Sequence, residues 1–570
     1  MSSSAAPAPA IPPTAAPLAN VECADGNLCA EQFVLRLDTL NPEEWAYRAE
    51  GNANICFAYA GADSRLSARP SARWPDARDE QGQDVYDPTL ELFYRNEIVT
   101  PLLGEEYVSR MRLVRLDTSF LLSLARAAEP LRPVERRTKE IDVDQPYGLL
   151  ALDHAAFVAT DAQAIALELK PKWGFLPDPS SPYVHAIHPA KLHTCRYCMH
   201  QHLKRKQKCE TDANTAANDN TAGWAHSNYC PLDLFSGSLP RVRRALAALA
   251  QCPQNNMRIW VTPGPSTAAS PHLLGASTRS GLLAMDDIRL APFLDRFLDM
   301  AAEILVREDL LSRLRQHQRQ LDEPGISTIL RCYEQLREQS VHGVRKIRRI
   351  GSALPPRMPS TQKETVHVWR LMLENYRRRQ ATAVRFHATR SQSTSCMTRP
   401  AVASERAGAL LDVPDLASTR QSTDLSDGSD RSDVSDNVND LSLASSDRKQ
   451  QRLLRLHEYL LAATLKDCTV LLTIGTATPK PTPVAGNHYL TEYVNACTFE
   501  AAPSVLVDVR SPDATAAGAR HGCAAPLQVC YKMNVIDLDM KPAARIPHYY
   551  ALDKRILAAY LESGEKRYCR

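Results

Sequence analysis

Nowhere in this chain is there an apolar run of about eighteen residues, the least that spans a bilayer, so no membrane span is expected. A secretory leader is not expected either. The first twenty residues are mostly Ser, Ala and Pro, with no basic segment leading into an apolar core. Regular cysteine spacing is also missing. The fifteen cysteines are scattered, which reads as free thiols in a reduced intracellular setting. Charge of one sign is not in excess: 68 basic against 65 acidic residues leave a net charge of +3. Aromatics do not interleave with the basic residues. Both facts argue against a direct nucleic-acid binder, and any anion site must be a local concentration of Lys and Arg.

What is present is ample material for a core. Apolar residues make up 44%, and 570 residues are too many for one compact core, so two or more lobes are expected. Residues 1–28 read as a disordered Ala/Pro/Ser tail. Residues 29–152 form a first lobe, in which Tyr47 to Tyr59 reads as strand, tight turn at Gly51, strand, followed by a largely helical stretch over 87–127 and a strand at about 148–153. Residues 153–384 carry the motif-rich region and then helices at Arg241–Ala250 and Ile288–Leu314. Residues 385–450 form an insert whose core, Ser422 to Asp447, repeats Ser-Asp pairs. It reads as a disordered spacer or a phosphorylation target. Residues 451–570 hold a helix at Leu453–Leu465, strands at Cys468–Ile474 and Val529–Ile536, and a closing helix between Ile546 and Leu561.

Four motifs between 167 and 260 are rich in groups that bind anionic oxygens. The first alternates Glu168, Lys170 and Lys172, which a strand would set on one face. Lysines in such a row repel one another unless an anion lies over them. Arg196, His200 and Lys204 recur every four residues, so one helix projects them together, as a ligand site or a solvated face. The same segment, Cys195-x-x-Cys198-x-His200, has the look of a zinc half-site, but no second ligand pair follows it at proper spacing. Asn255 and Asn256, beside Arg258, suit phosphate or ribose oxygens, or simply a turn after Pro253. The Gly51 turn suits a nucleotide phosphate held by backbone N–H groups.

Asp467 and Asp537 stand at ends of regular elements, and pairing of the two strands would bring them together. Phosphoryl transfer needs a carboxylate to hold Mg²⁺ and often another to orient or deprotonate the attacking hydroxyl. Lys541 and Arg545 follow Asp537 and, if that segment coils, face the same way. With Lys170, Lys172, Arg196 and Lys204 they make six cations, a set suited to a substrate with several phosphates.

Together the segments Tyr47–Tyr59, Glu168–Pro177, Arg196–Lys204, Tyr229–Gly237, Pro253–Arg258, Glu458–Ile474 and Val535–Ile556 resemble the inositol-pentakisphosphate 2-kinase family, in that family's order. The resemblance implies an α+β, two-lobed kinase-like fold with ATP between the lobes and Mg²⁺ as metal. It implies transfer of the ATP γ-phosphoryl to the 2-hydroxyl of inositol 1,3,4,5,6-pentakisphosphate, giving the hexakisphosphate. By position it makes Lys170, Lys172, Arg196, His200, Lys204, Asn255, Asn256, Arg136, Lys541, Arg545 and Tyr549 substrate contacts, with Lys170 also steadying the transferring phosphoryl. Asp467 becomes the catalytic residue and a metal ligand, and Asp537 the principal metal ligand. Gly51, Asn52, Ala53, Asn54, Arg65, Asp153, His154 and Glu168 belong to the nucleotide site. A monomer in nucleus or cytoplasm is expected.

Three features depart from the family pattern. Ser64 to Arg73 replaces a strand that gives the ATP phosphates a basic residue, and Pro70 makes it a poor strand, with Arg65 the nearest substitute. Glu135 stands where plant members carry an aromatic. Their Cys/His zinc cluster has no counterpart near 320–350, so no zinc is expected. The first departure motivates a second reading, a catalytically impaired scaffold that binds inositol phosphates.

Overall fold

In the computed structural model, described residues are 34–36, 41–50, 55–59, 66–69, 72–73, 88–138, 140–143, 147–152, 154, 164–214, 227–262, 291–348, 362–394, 445–475, 504–507, 527–565 and 568–569. They form an α+β fold around two large sheets, with a separate two-stranded sheet of residues 72–73 and 140–141. The strands are β1 (Val34–Arg36), β2 (Trp45–Glu50), β3 (Ile55–Tyr59), β4 (Leu66–Arg69), β5 (Ala72–Arg73), β6 (Arg112–Arg115), β7 (Glu140–Ile141), β8 (Tyr147–Leu152), β9 (Ala164–Leu169), β10 (Met257–Thr262), β11 (Thr469–Gly475), β12 (Ser504–Val507) and β13 (Leu527–Ile536). The helices are α1 (Pro88–Phe93), α2 (Thr100–Leu103), α3 (Thr118–Ala128), α4 (Arg196–Asn214), α5 (Pro231–Leu234), α6 (Leu239–Gln251), α7 (Ala291–Arg307), α8 (Leu310–Leu321), α9 (Gly325–Arg348), α10 (Gln362–Thr394), α11 (Ser445–Asp467) and α12 (Ile546–Glu562).

The first sheet runs β1-β6-β8-β4-β3-β2, antiparallel except for the β1–β6 pair. Alternation in β3 buries Ile55, Phe57 and Tyr59 on one face, where they meet Trp45, Leu150 and the apolar side of α3. Asp117 caps α3 by accepting from the Phe120 amide at 2.8 Å. α1 covers the other face through Leu92, against Met111, Leu113 and Leu149. A buried Arg132–Glu50 ion pair at 2.8 Å ties the chain after α3 to the end of β2.

The second sheet runs β10-β9-β11-β13-β12, antiparallel throughout. β11 is buried at every position, as a central strand covered on both faces requires. Residues 88–108 join the two sheets. Tyr94 Oη donates to Thr464 Oγ1 (3.1 Å), and the Val535 amide donates to the Tyr107 carbonyl (2.7 Å). Arg95 Nη2 reaches the Val535 carbonyl at 3.3 Å. Among the described residues no helix is long and apolar enough to cross a membrane.

Several expectations need correction. The stretch 87–127 is not one helical region: a π-turn at Tyr94–Val99 interrupts it, and β6 lies between α2 and α3. The helix expected over Ile288–Leu314 is two, broken at Glu308–Asp309. The helices flanking the Ser/Asp insert reach further than composition suggests, to Thr394 on one side and from Ser445 on the other. Most important, the segment before Pro70 is a proper strand. β4 pairs with β3 and with β8 and stops at Arg69, so the proline ends the strand instead of preventing it. Residues 1–28 and 395–444 lie outside the described residues, as do Gly51, Asn52, Ala53, Asn54, Arg65 and Asp153.

Candidate active site

Strand register assembles the site. Leu169 at the end of β9 pairs with both Met257 and Val470, and Ile536 at the end of β13 pairs with Thr469. Lys170, Asn256, Asp467 and Asp537 therefore emerge at one end of the sheet, from positions up to 367 residues apart in sequence (170 to 537). The expected meeting of Asp467 with Asp537 is borne out: one precedes β11, the other follows β13, and these strands are antiparallel neighbours.

The carboxylates are held by lysines. Lys172 Nζ lies 3.4 Å from Asp467 Oδ1, and Lys541 Nζ lies 3.1 Å from Asp467 Oδ2. Lys170 Nζ sits 3.7 Å from Asp537 Oδ2, which also accepts from Thr469 Oγ1 at 2.5 Å. Burial works to raise the Asp467 pKa, but Lys541 and Lys172 together hold it below the ordinary carboxylate range. Burial lowers the Lys172 pKa, and neighbouring Lys170 lowers it further, against the pull of Asp467. Burial and then Lys172 lower Lys204 as well. This crowding of cations is the electrostatic signature of a site for a polyanion.

Backbone strain marks the same place. Among the described residues three non-glycine residues have positive φ: Lys172 (64°), Gln254 (48°) and Asp537 (57°). All three lie at this end of the sheet, each at a cost of about 1–3 kcal/mol that the surroundings must offset. The offset at Lys172 comes from Gln318, which is fully buried on α8. Its Nε2 donates to the carbonyls of Lys172 (3.0 Å) and Leu465 (2.9 Å), and its Oε1 accepts from the Gly174 amide (2.9 Å). Tyr229 Oη fixes the Pro171 carbonyl at 2.8 Å. Gly174 is needed because a Cβ there would lie 2.4 Å from the Phe235 ring. The expected single strand face for Glu168, Lys170 and Lys172 is thus corrected. β9 ends at Leu169, Pro171 has no amide to continue the ladder, and Lys172 turns left-handed.

α4 carries Arg196, His200 and Lys204 as expected. Burial lowers the His200 pKa to about 3, helped by Arg196, Lys204 and Lys172, so the imidazole is neutral near pH 7 and can donate one N–H to an anion. Lys204 Nζ is steadied by Gln254 Oε1 at 2.9 Å, and Gln254 Nε2 in turn donates to Gln201 Oε1 at 2.9 Å. Arg196 is turned differently, with its guanidinium over the Trp173 ring (4.8 Å) and 4.0 Å from Asp553. It lines a cavity of about 670 Å³ together with Trp173, Asp322 and Asp553. Asn255 is exposed, whereas Asn256 is buried and its Nδ2 donates to Tyr197 Oη (3.2 Å). Asn256 also braces the site, since its carbonyl accepts the Lys170 amide at 2.9 Å.

Lys541 lies in an extended connection and Arg545 in a 3₁₀ turn, so they do not share a helix face as expected. Pro542 between them prevents coiling there. Tyr549, its pKa raised by burial, lies within the fields of Lys541, Arg545 and Asp467. Glu168 on β9 faces Arg258 across the β9–β10 pair at 4.0 Å, and burial raises its carboxyl pKa. His154 is buried and neutral, its carbonyl accepting from Thr473 Oγ1 at 2.8 Å. Arg136 sits in a 3₁₀ turn beside the first sheet, its carbonyl accepting from Arg132 Nη2 at 2.7 Å.

Sequence reasoning missed four residues. Gln318 and Gln254 brace the lysines, and nothing in local sequence marks them. Lys466 and Asp322 form a buried ion pair at 2.6 Å, immediately before Asp467. Lys466 Nζ lies 4.0 Å from the Trp173 ring centre, opposite in role to the solvent-facing lysine its position at a helix end suggests. Sequence reasoning also found no second pair for Cys195 and Cys198, whereas the fold brings their thiols within 4.8 Å of those of Cys230 and Cys569.

Comparison with known proteins fits this geometry. The family profile described as inositol-pentakisphosphate 2-kinase matches residues 47–555. A Danio rerio protein of that name is 34% identical over 236 residues, 40% of this chain and 44% of the relative. The Arabidopsis thaliana protein of the same name is 27% identical over 341 residues, 53% of this chain and 72% of its own length. One from Cryptococcus neoformans is 29% identical over 310 residues, 51% of this chain and 66% of its own. The matched stretch thus spans less than half of the Danio rerio relative.

Proposed function

The chain belongs to the inositol-pentakisphosphate 2-kinase family, and on that premise we propose that it transfers the γ-phosphoryl of ATP to the 2-hydroxyl of inositol 1,3,4,5,6-pentakisphosphate, giving the hexakisphosphate. The observation that carries this reading is the convergence of Asp467 and Asp537 with Lys170, Lys172 and Lys541 at one end of the second sheet. We read the fold as two-lobed and kinase-like, with the first sheet covering ATP and the second holding the inositol phosphate.

The residues divide the work. Lys172, His200, Lys204, Lys541 and Tyr549 bind phosphates already on the ring, the lysines as charges and neutral His200 as a hydrogen-bond donor. Lys172 and Lys541 each reach one oxygen of Asp467. Substrate phosphates compete for those lysines, which frees Asp467 to accept a hydrogen bond from the 2-hydroxyl and then its proton. Asp467 thereby gains basicity only once substrate is seated, a form of induced fit. Lys170, next to Asp537, reaches the phosphoryl in flight and offsets the charge on its oxygens.

The carboxylates suit Mg²⁺, a cation that takes oxygen ligands: Asp537, its side chain 42% exposed, would hold it, joined by Asp467 once substrate draws the two lysines from its oxygens. Bound there, Mg²⁺ would supply positive charge that offsets the charge of the nucleotide phosphates. Glu168 and His154 border the nucleotide. The scaffold reading loses its motive, since β4 is properly paired.

Purified protein with ATP, Mg²⁺ and the pentakisphosphate should yield inositol hexakisphosphate, resolved by ion-exchange chromatography. Folded protein that yields no hexakisphosphate, or a product phosphorylated elsewhere, contradicts the proposal.

A further inference from the structure

Cys569, in the segment beyond α12, is buried. Its neighbour Tyr568 is 65% exposed and meets His193 edge-on, so that side chain does little to dock this segment. What holds it is polar. The Cys569 amide donates to the His193 carbonyl at 2.8 Å, and its thiol sulfur accepts from the Cys195 amide at 3.4 Å. That sulfur enters a knot with Cys195, Cys198 and Cys230, all buried and all free of disulfides.

We propose that these four thiols are a structural zinc site that staples the C-terminal tail and the Cys230 segment to the start of α4. Four thiolates about 2.3 Å from a tetrahedral zinc have S···S edges of about 3.8 Å. Here Cys195 Sγ and Cys230 Sγ are 3.9 Å apart, and all four sulfurs fall within 4.8 Å of one another. A disulfide needs about 2.05 Å, and a multi-iron cluster needs its sulfurs spread farther apart. Cys195 and Cys198 form a Cys-x-x-Cys knuckle at the α4 N-terminus, where the helix dipole favours thiolate. The Cys198 amide donates to Cys195 Sγ at 3.5 Å, the kind of N–H···S contact that supports metal thiolates. The four thiols come together from three segments distant in sequence, within the main apolar core. A closed four-sulfur set with no open position makes the metal structural, not catalytic.

The knot has a mechanical consequence. Cys195 adjoins Arg196, and Met199 and Leu203 on the same helix pack against Ile556, Ala559 and Tyr560 of α12. Metal at the head of α4 and apolar packing along its side together fix the helix that carries His200 and Lys204.

The test uses full-length protein purified without a metal-binding tag, with metals counted by plasma mass spectrometry. One zinc per chain is expected, falling to well under a third in Cys569→Ser and Cys195→Ser but unchanged in Cys209→Ser, an exposed cysteine on the same helix. Cobalt exchanged into the site should show intense thiolate charge-transfer and tetrahedral visible bands. Because Cys195→Ser risks misfolding, Cys569→Ser at the tail is the deciding variant, checked by circular dichroism. Iron in place of zinc, a disulfide among the four, or metal-free native protein with four freely titrating thiols overturns the proposal. These readouts do not depend on kinase activity, so they fail or succeed separately from the proposed function.

Discussion

Lys172 shows how a single residue trades stability against charge placement. Its left-handed backbone and its closeness to Lys170 both cost free energy, and Gln318 offsets only the backbone part. Glycine relieves both costs and removes the cation. Lys172→Gly should therefore melt at the same or a higher temperature, by scanning fluorimetry, while KM for the pentakisphosphate rises about tenfold or more. A lower melting temperature with unchanged KM would assign Lys172 a purely structural role. Residue types were the legible part of this site. Lysines, the helical Arg/His/Lys row and the two aspartates could be read from spacing, because charged groups in register signal a ligand. The left-handed turn at 172 could not, since Pro171 hints at a strand end but not at the conformation that follows.

At the scale of elements, periodicity recovered the strands β11 and β13, the helix α11 and the closing helix α12 to within a few residues of their bounds, helix α11 excepted at its start, whereas β9 lies ahead of the strand read at 168–172. β6 was hidden in a stretch read as helical, because Arg112–Arg115 is too short for its alternation to stand out. The braces were hidden for a different reason. Gln318 acts from α8, 146 residues away from Lys172, through hydrogen bonds that no local pattern encodes. Gln318→Leu keeps the volume and strands the Gly174 amide and two carbonyls. Destabilisation of about 2–3 kcal/mol is expected in urea titration, with a loss in kcat/KM larger than that in folded fraction. If kcat/KM is untouched, the loop after β9 does not depend on this brace.

Among the described residues, histidines whose surroundings lower their pKa set an acid limit, with His317 adding to three larger shifts. Burial pushes His200 down to about 3, His457 to about 4 and His154 well below the ordinary 6.5. Each is neutral when folded and protonated when unfolded below pH 6.5. The unfolded chain then binds more protons, so stability falls as pH drops from 6.5 toward 4, by up to about 1.4 kcal/mol per unit for each imidazole. Glu168 and Asp322, raised by burial, oppose this only nearer the carboxylate range. Urea midpoints measured from pH 7.5 to 4.5 should fall steadily below 6.5, and a flat profile would contradict these assignments. The three-segment cysteine knot belongs to this scale as well. Cys195-x-x-Cys198 was visible in sequence, but Cys230 and Cys569 join it only through tertiary contacts.

The central claim is that two aspartates at one sheet end perform transfer while the surrounding cations bind substrate. Its most direct test measures hexakisphosphate formation and pentakisphosphate affinity side by side in Asp537→Asn and Asp467→Asn. Turnover should fall at least about a thousandfold in each, as loss of a charge-stabilising or proton-accepting group implies, while calorimetric affinity stays within a few-fold of the parent or tightens as the lysines are released. Turnover that survives both substitutions would contradict the account.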